Sequence, residues 1–400
     1  MKIKLAVLFG GKSVEHEISI ISAVQAMRYI NKDKYEVIPV YITKGNEMYH
    51  GEELTDIKEY SNLKQLLKKC TKVYFGIEDG RTKLFKTDAK LFGKKVISEI
   101  DIAFPIVHGT NCEDGTLHGY LKMLNLPLVG CDLTASAIGM DKYYMKTVFK
   151  DNGIPVLDCK CFTAKDFELS PEQVIESIED SIGYPIIVKP VNLGSSVGIS
   201  KAENREELEE ALKNAFNFAG RVLAEKAVEN LKEVNCSVLG DIDDAKASEC
   251  EEPVNSDKIL SYDDKYKSGA KGGSKGGSKG MASLKRKIPA DITKEQRETI
   301  REMAVKAFKC LGCNGIVRID FMIDTHTNEI YLNEINTIPG SLSFYLWEPL
   351  GVKYTELLDK MIEIALKRNR EQSQISYAFD TNVLEGMSFD GTKGSKGSKM

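Results

Sequence analysis

Two apolar segments in the C-terminal third carry polar residues at regular intervals: "GIVRIDFMI" (315–323) and "EIYLNEIN" (329–336). Side chains of a strand alternate between faces, so Arg318 and Asp320 share one face, as do Glu334 and Asn336. The intervening "DTHTN" reads as a hairpin turn. A hairpin centred near Thr327 sets Asp320 opposite Glu334 and Arg318 opposite Asn336. Two carboxylates placed directly opposite repel unless a cation lies between them. A donor set of Asp, Glu and Asn oxygens suits Mg²⁺, and Mg²⁺ in such sites also touches phosphates. The plainer alternative is a solvated hairpin face, which sits poorly with four polar residues inside apolar strands.

A second stretch, "KPVNLGSSVGIS" (189–200), sets a lysine before a run of small residues. It is not the G-x-x-x-x-G-K-[ST] phosphate loop, because here the lysine precedes the glycines. Backbone N–H groups from Gly194 to Gly198 can still cradle phosphate oxygens, and Lys189 supplies a point charge. Alone, the stretch is equally a flexible turn after a strand. Beside a carboxylate cluster it points to a nucleoside triphosphate site.

Elements must hold these groups together. "KLAVLFGG" reads as a strand meeting a glycine turn, "SVEHEISIISAVQAMRYI" as a helix and "YEVIPVYI" as a strand, which suggests a parallel sheet. "IDIAFPIVHG" and "LPLVG" extend that first α/β domain to about residue 130. A central segment, 131–220, holds "YPIIVKP" and a helix starting at Asn204, with Glu207 three residues on and a stop near Gly220. Its apolar face is Leu208, Leu212, Ala215 and Phe216. The third segment, 221–368, opens with the strands "RVLAEKAV" and "VNCSVLGD". A capping box from Thr293 to Gln296 begins a helix that buries Ile300, Met303, Ala304, Ala307, Phe308 and Leu311. Gly/Ser/Lys-rich runs at 268–287 and at the end of the 369–400 tail cannot bury a core, so both are expected to be mobile.

Bulk properties set limits. Four hundred residues suggest two to three domains, and 42% hydrophobic with 28% charged residues fit a globular enzyme. A net charge of −4 makes no case for nucleic-acid binding. No apolar run approaches membrane-spanning length. Nine scattered cysteines suggest reduced thiols in a cytoplasm. The close pairs Cys159/Cys161 and Cys310/Cys313 have no second pair at zinc spacing, so buried thiols are expected.

Seven blocks in order resemble the D-alanine–D-alanine ligases of the ATP-grasp superfamily: "LFGGKSVEHEISIISA", "VHGTNCEDGTLHGYLKMLNLPLVG", "TASAIGMDK", "VKPVNLGSSVGISK", "YDDKY", "GIVRIDFM" and "NEINTIPGS". The resemblance covers about residues 1–368 and implies a three-domain ATP-grasp α/β fold with an N-terminal parallel-sheet domain. It implies that Lys142 and Lys189 contact ATP phosphates, with Ser196 also at the ATP site. Glu225 would hold the adenine amine, Lys226 would lie near the base, and Glu233 would hold the ribose. Asp320, Glu334 and Asn336 would bind two Mg²⁺ ions, for which Mn²⁺ can substitute. Glu15 would bind the ammonium of the first D-alanine, with His108 nearby. Ser195 and Tyr266 would complete a hydrogen-bonded triad with Glu15, and Lys265 and Tyr266 would sit on a lid loop at about 257–287. Arg318 and the Gly340 N–H would stabilise a tetrahedral oxyanion.

The implied activity is ATP-dependent joining of two D-alanines through an acyl phosphate, for peptidoglycan, in a cytoplasmic homodimer. Read without the resemblance, Glu15 is a first-turn helix acid, His108 a turn cap and Tyr266 a packing residue. Two features depart from the family pattern. The lid carries the Gly/Ser/Lys insert, and "PGSLSFYLWEPLG" puts Tyr345 and Leu346 where a serine and a leucine are usual. That serine helps bind the acceptor carboxylate, so Ser341, Ser343 or the Tyr345 hydroxyl must replace it. D-Serine is therefore an alternative acceptor, although Tyr266 looks like the amine-using members and not the lactate-using ones. A non-catalytic nucleotide-binding module is the alternative from another class.

Overall fold

The computed structural model describes residues 2–88, 95–194, 196–254 and 286–376. Ser195, Lys265, Tyr266 and nearly all of the Gly/Ser/Lys insert lie outside the described residues, as does the tail beyond 376. Among the described residues, the strands form three sheets.

The first sheet holds β1 (Ile3–Gly10), β2 (Tyr35–Ile42), β3 (Met48–His50), β4 (Thr71–Glu78), β5 (Arg81–Lys86), β6 (Val96–Glu99) and β7 (Ile102–Ile106). Its order is β6-β5-β4-β3-β2-β1-β7, with β1 parallel to both β2 and β7. The parallel part matches the sequence reading. The antiparallel extension β3–β6 was not anticipated, and "LPLVG" gives only an isolated bridge from Leu128 to Ala103. β1 is buried from Leu5 to Gly10, as expected of a strand covered on both faces.

The second sheet, order β10-β9-β11-β8, comprises β8 (Cys159–Thr163), β9 (Ile186–Pro190), β10 (Ser200–Ala202) and β11 (Arg221–Lys226). The helix Arg205–Phe216 packs Leu208, Leu212 and Ala215 against it, with the Asn204 side chain accepting from the Glu207 N–H at 3.0 Å. That helix ends at Phe216, short of the expected stop near Gly220, because it closes on Asn217 in an ordinary right-handed turn.

The third sheet, order β14-β13-β12-β15-β16, comprises β12 (Leu231–Gly240), β13 (Ala245–Pro253), β14 (Arg286–Lys287), β15 (Gly315–Asp324) and β16 (Ile330–Asn336). One face carries Val234, Cys236, Val238, Val317, Ile319, Phe321, Leu332 and Ile335, packed on the helix Lys294–Cys310. The Thr293/Gln296 capping box starts that helix as the sequence predicts. The other face is left for the site.

The last helix, Tyr354–Gln372, returns to the N-terminal core and runs past residue 368, where the sequence suggested a flexible tail. Arg368 explains the extension: it donates to the carbonyls of Gly130 (3.0 Å) and Leu128 (2.5 Å), tying the helix end to the first domain. All nine cysteines are unpaired; of the two close pairs expected as buried thiols, Cys313 is buried, whereas Cys159, Cys161 and Cys310 are half-buried. Among the described residues, no helix is long and apolar enough to cross a membrane.

Candidate active site

The geometry starts from strand register. β12, β13, β15 and β16 pair so that Glu251, Asn235, Asp320 and Glu334 lie directly opposite one another, one per strand. Directly opposed residues point to the same face, so this is a polar row crossing the sheet. Beside it runs a second row, Ser237, Arg318 and Asn336. The Asp320–Glu334 and Arg318–Asn336 pairings are those the alternation pattern predicts. A bulge at Asn333, between Leu332 and Glu334, was not anticipated. It turns Asn333 toward the second sheet, where Asn333 Oδ1 accepts from Lys189 Nζ at 3.2 Å.

Asp320 takes a two-nitrogen clamp from Arg318, at 2.6 and 2.7 Å, and accepts from Asn336 Nδ2 at 3.1 Å. Burial opposes the charge on Arg318, yet the neighbouring Asp320 carboxylate raises its pKa further and keeps it a cation. Burial raises the Asp320 pKa; Arg318 offsets this and Glu334 adds to it. Lys142, first residue of the helix Lys142–Asp151, sits 3.4 Å from Glu334 and donates to the Leu193 carbonyl at 2.7 Å. Glu15, Glu113, Lys142, Gly194, Glu334 and Asn336 line one cleft.

Glu15 precedes the helix His16–Tyr29. Two glycines make room for its carboxylate: a Cβ on Gly109 would lie 3.0 Å from Glu15 Oε2, and one on Gly194 would lie 3.3 Å from the same atom. His108 is buried, with Nδ1 2.7 Å from the Ile338 carbonyl and Nε2 2.8 Å from Ser22 Oγ. A carbonyl can only accept, so Nδ1 carries the proton and Nε2 accepts from Ser22, whose oxygen in turn accepts the Ser341 N–H at 3.0 Å. Burial lowers the His108 pKa, against the charge of Glu15, which keeps the ring neutral. Glu113, missed at the sequence level, accepts from the N–H groups of Gly109 (2.6 Å) and Ile338 (3.0 Å). Burial, then the charges of Glu15 and Glu334, push its pKa up to about 8. The acidic "CEDG" run containing it was the available signal.

Glu225 on β11 is buried between Lys189 and Lys146, the latter also missed. Lys226 turns outward, donating to the carbonyls of Tyr184 and, at 3.4 Å, Gly183. Glu233 stands on β12 opposite Met322, on the site face. Ser196 lies in the turn after β9 with φ +60°.

After β16 the chain enters a 3₁₀ segment, Gly340–Leu346, opened by a half-buried Gly340. Ser341, Leu342 and Ser343 have φ of 52°, 50° and 48°, a left-handed run costing roughly 1–2 kcal/mol per residue. The Ser341 and Ser343 hydroxyls are buried with no hydrogen-bond partner among the described residues. Tyr345 donates to Glu251 Oε1 at 3.3 Å, and the Arg286 guanidinium lies 3.9 Å from its ring centre while pairing with Glu251 Oε2 at 2.7 Å. Leu346 is fully buried in the core beneath this loop.

Among the described residues, no group of three or more His, Cys, Asp or Glu side chains is set to hold a metal. What remains is Asp320, Glu334 and Asn336, an oxygen set in which the two carboxylates face each other. Burial is the main cause of the raised pKa values of Asp320 and Glu113, and Glu334 adds to both; the facing carboxylate oxygens with the Asn336 amide are a donor set of the kind a hard divalent cation takes.

Residues 4–131 match the sequence profile of the D-ala D-ala ligase N-terminus, and residues 148–363 that of the D-ala D-ala ligase C-terminus. The chain belongs to the D-alanine–D-alanine ligase family. A D-alanine–D-alanine ligase of Acetivibrio thermocellus is 41% identical over 382 residues, covering 92% of this chain and 96% of the relative. One from Thermosipho melanesiensis is 38% identical, covering 96% and 98%. Among solved structures, the D-alanine–D-alanine ligase from Coxiella burnetii superposes with a TM-score of 0.76 at 30% identity, covering 93% of this chain and 96% of that one. The VanG D-Ala:D-Ser ligase from Enterococcus faecalis gives 0.75 at 32% identity, covering 91% and 100%. The family explains why the cleft gathers β16 with turns and helix starts from the rest of the chain: these enzymes form a peptide bond at the expense of ATP, so phosphate and amino-acid groups must converge.

Proposed function

We propose that this family member joins two D-alanines, with the site residues acting as follows. Glu15 receives the ammonium of the first D-alanine, and neutral His108 braces the 338–341 loop beside it. Lys142 and Lys189 bind ATP phosphates, with Ser196 in the adjoining turn, Glu225 and Lys226 toward the base and Glu233 toward the ribose. Asp320, Glu334 and Asn336 would hold the two Mg²⁺ ions, which would neutralise phosphate charge. The carboxylate of the first D-alanine attacks the γ-phosphorus, and ADP leaves with the electrons of the broken P–O bond. The ammonium of the second D-alanine gives one proton to solvent and its amine attacks the acyl carbon; phosphate leaves with the electrons of the broken C–O bond and takes up the second amine proton. Arg318 and the Gly340 N–H meet the oxyanion, a contribution of about 10²–10³ in rate per donor in comparable sites. Ser195, Lys265 and Tyr266 close the site against water.

The observation that carries this reading is that Glu334 and Asn336, at the ends of the two polar rows, line one cleft with Lys142, Gly194 and Glu15. D-alanine is favoured as acceptor because the curated relatives are named for it. Tyr345 forms the wall nearest the acceptor's methyl, with Leu346 packed in the core behind it. An apolar wall rejects an added hydroxyl only about 10²-fold, so some D-serine use accompanies D-alanine. We also assign the protein to the cytoplasm, as a homodimer. The test is an equal mixture of D-alanine, D-serine and D-lactate with ATP and Mg²⁺, read by product mass. D-alanyl-D-alanine should dominate. A dominant D-alanyl-D-serine product overturns the acceptor assignment, and a dominant ester overturns the role of Tyr266. No ADP release on adding D-alanine would leave only a nucleotide-binding module.

A further inference from the structure

Lys146 takes no part in the chemistry above, yet its side chain is only 2% exposed. It lies one helical turn beyond Lys142 on the helix Lys142–Asp151, and its Nζ is 2.8 Å from Glu225 Oε2 and 3.4 Å from the Leu157 carbonyl. Lys189 approaches the same carboxylate from β9, with Nζ 2.5 Å from Oε1. Two buried cations therefore share one buried anion. Burying charge without compensation is costly, so this group is complete only when a ligand brings negative charge.

The two lysines are not equivalent. Lys189 also contacts Asn333 at the bulge beside Glu334, so it spans the distance from Glu225 toward the carboxylate pair. Lys146 contacts only Glu225 and a backbone carbonyl among the described residues, both at the Glu225 end. Glu225 Oε2 is buried against Lys146 at 2.8 Å. Oε1 faces Lys189, so it is the oxygen freed for an incoming N–H donor when Lys189 turns to phosphate.

We propose that Lys146 is a positioning residue for base recognition: the fixed counter-ion that holds Glu225 oriented toward a purine 6-amino group while Lys189 is exchanged to the nucleotide's phosphates. This rests on the reading of Glu225 as the adenine acceptor. A carboxylate accepts from the amino group of adenine and repels the 6-carbonyl of guanine, so its orientation sets the preference for ATP over GTP. The Glu225 pKa agrees with a permanent anion. Burial alone would raise it, but Lys146 and Lys189 bring it down to about 2.

The experiment compares kcat and KM for ATP and GTP in Glu225→Gln, Lys146→Met, Lys146→Arg and the Glu225→Gln/Lys146→Met double variant, with D-alanine saturating. Lys146→Met should reduce the ATP/GTP preference in kcat/KM by roughly tenfold or more, the usual scale for losing an orienting partner, chiefly through KM for ATP. Lys146→Arg should restore much of it. Adding Lys146→Met to Glu225→Gln should cost no further preference, because both act through one contact. An unchanged preference in Glu225→Gln removes the reading of Glu225 itself. Relaxed preference in Glu225→Gln with wild-type preference in Lys146→Met overturns the role of Lys146 alone. Should Lys146→Met not fold by circular dichroism, Lys146→Gln is assayed in its place, and wild-type selectivity there overturns the proposal equally.

Discussion

Replacing Glu334 with Gln separates what this carboxylate does for the fold from what it does for the reaction. Opposed cross-strand residues hold their Cβ atoms about 4.5–5.5 Å apart, so the Asp320 and Glu334 carboxylates repel across about 5 Å. With an effective dielectric of about 20, that is about 3 kcal/mol. Lys142, 3.4 Å from Glu334, returns about 5 kcal/mol on the same scale. Glu113, with a pKa of about 8, is protonated near pH 7 and adds little, and the partial exposure of Glu334 scales each contribution down. The contributions nearly cancel, so Glu334→Gln without ligands should melt with a stability within about 2 kcal/mol of the parent. The ligand-bound state should behave differently. At 100 times Kd a bound ligand adds about 2.7 kcal/mol to the parent, and most of this gain should vanish in the variant when the ligand is Mg·ADP. Turnover should fall by about 10²-fold or more, most steeply at limiting Mg²⁺. Melting curves with and without Mg·ADP, together with phosphate release across a Mg²⁺ titration, check both halves. Parent-like turnover at limiting Mg²⁺ together with a parent-like Mg·ADP shift would falsify the assignment of Glu334 to the cation.

The remaining expectations follow from burial and charge. The pKa of Glu225 is lower in the folded chain, about 2, than its ordinary value of 4.5, so its stabilising contribution is full above pH 4.5 and disappears as pH falls from 4.5 to about 2. Glu225→Gln should therefore cost about 3–5 kcal/mol near pH 7, with the gap to the parent narrowing in urea melts below pH 4.5. Glu113 has the opposite sign. Its folded pKa of about 8 lies above 4.5, so the stability it contributes is present below pH 4.5 and is lost as pH rises through about 8. Glu113→Gln should flatten the ligand-free stability profile between pH 5 and 8, and an unchanged slope would count against the buried proton. Gly109→Ala would put a Cβ 2.4 Å from Ser13 Oγ and 3.0 Å from Glu15 Oε2 at φ +78°. It should destabilise by about 1–2 kcal/mol and raise KM for the first D-alanine well above its effect on KM for ATP.

Alternation was the most informative signal in the sequence. The period of two in "VRID" and "NEIN" gave the Asp320–Glu334 and Arg318–Asn336 pairings, and Thr293 with Gln296 gave a helix start, because both patterns depend on neighbours in the chain. The β4–β5 hairpin was missed although its turn carried a signal. Asp79 and Gly80, with φ of 54° and 73°, form the two-residue Asp-Gly turn that such hairpins favour, yet the surrounding lysines obscure the strand pattern. Lys146 looked like any lysine on a helix. Its burial comes from β11 and the Leu157 segment closing over it, which are distant in sequence. Glu113 was equally hidden, since its partner Ile338 lies 225 positions away. Arg286, in a run of basic residues, read as part of a solvated insert, whereas it stacks on Tyr345.

The bulge at Asn333 can be considered as a problem of spelling. Phe321 pairs with Leu332, and Asp320 pairs with Glu334. If Asn333 were omitted, Glu334 would become the next letter after Leu332 and would still fall opposite Asp320, with Leu332 and Ile335 still facing the core. The hairpin would be more regular, and no core contact requires the extra residue. What the omission would remove is the amide oxygen that Lys189 holds at 3.2 Å, and with it the link from the second sheet to the carboxylate pair. A chain selected for stability alone would have little reason to keep this letter. Its presence marks a position where the strand serves the neighbouring lysine and not itself, and shortening β16 by one residue is the edit that would leave the architecture readable and the message changed.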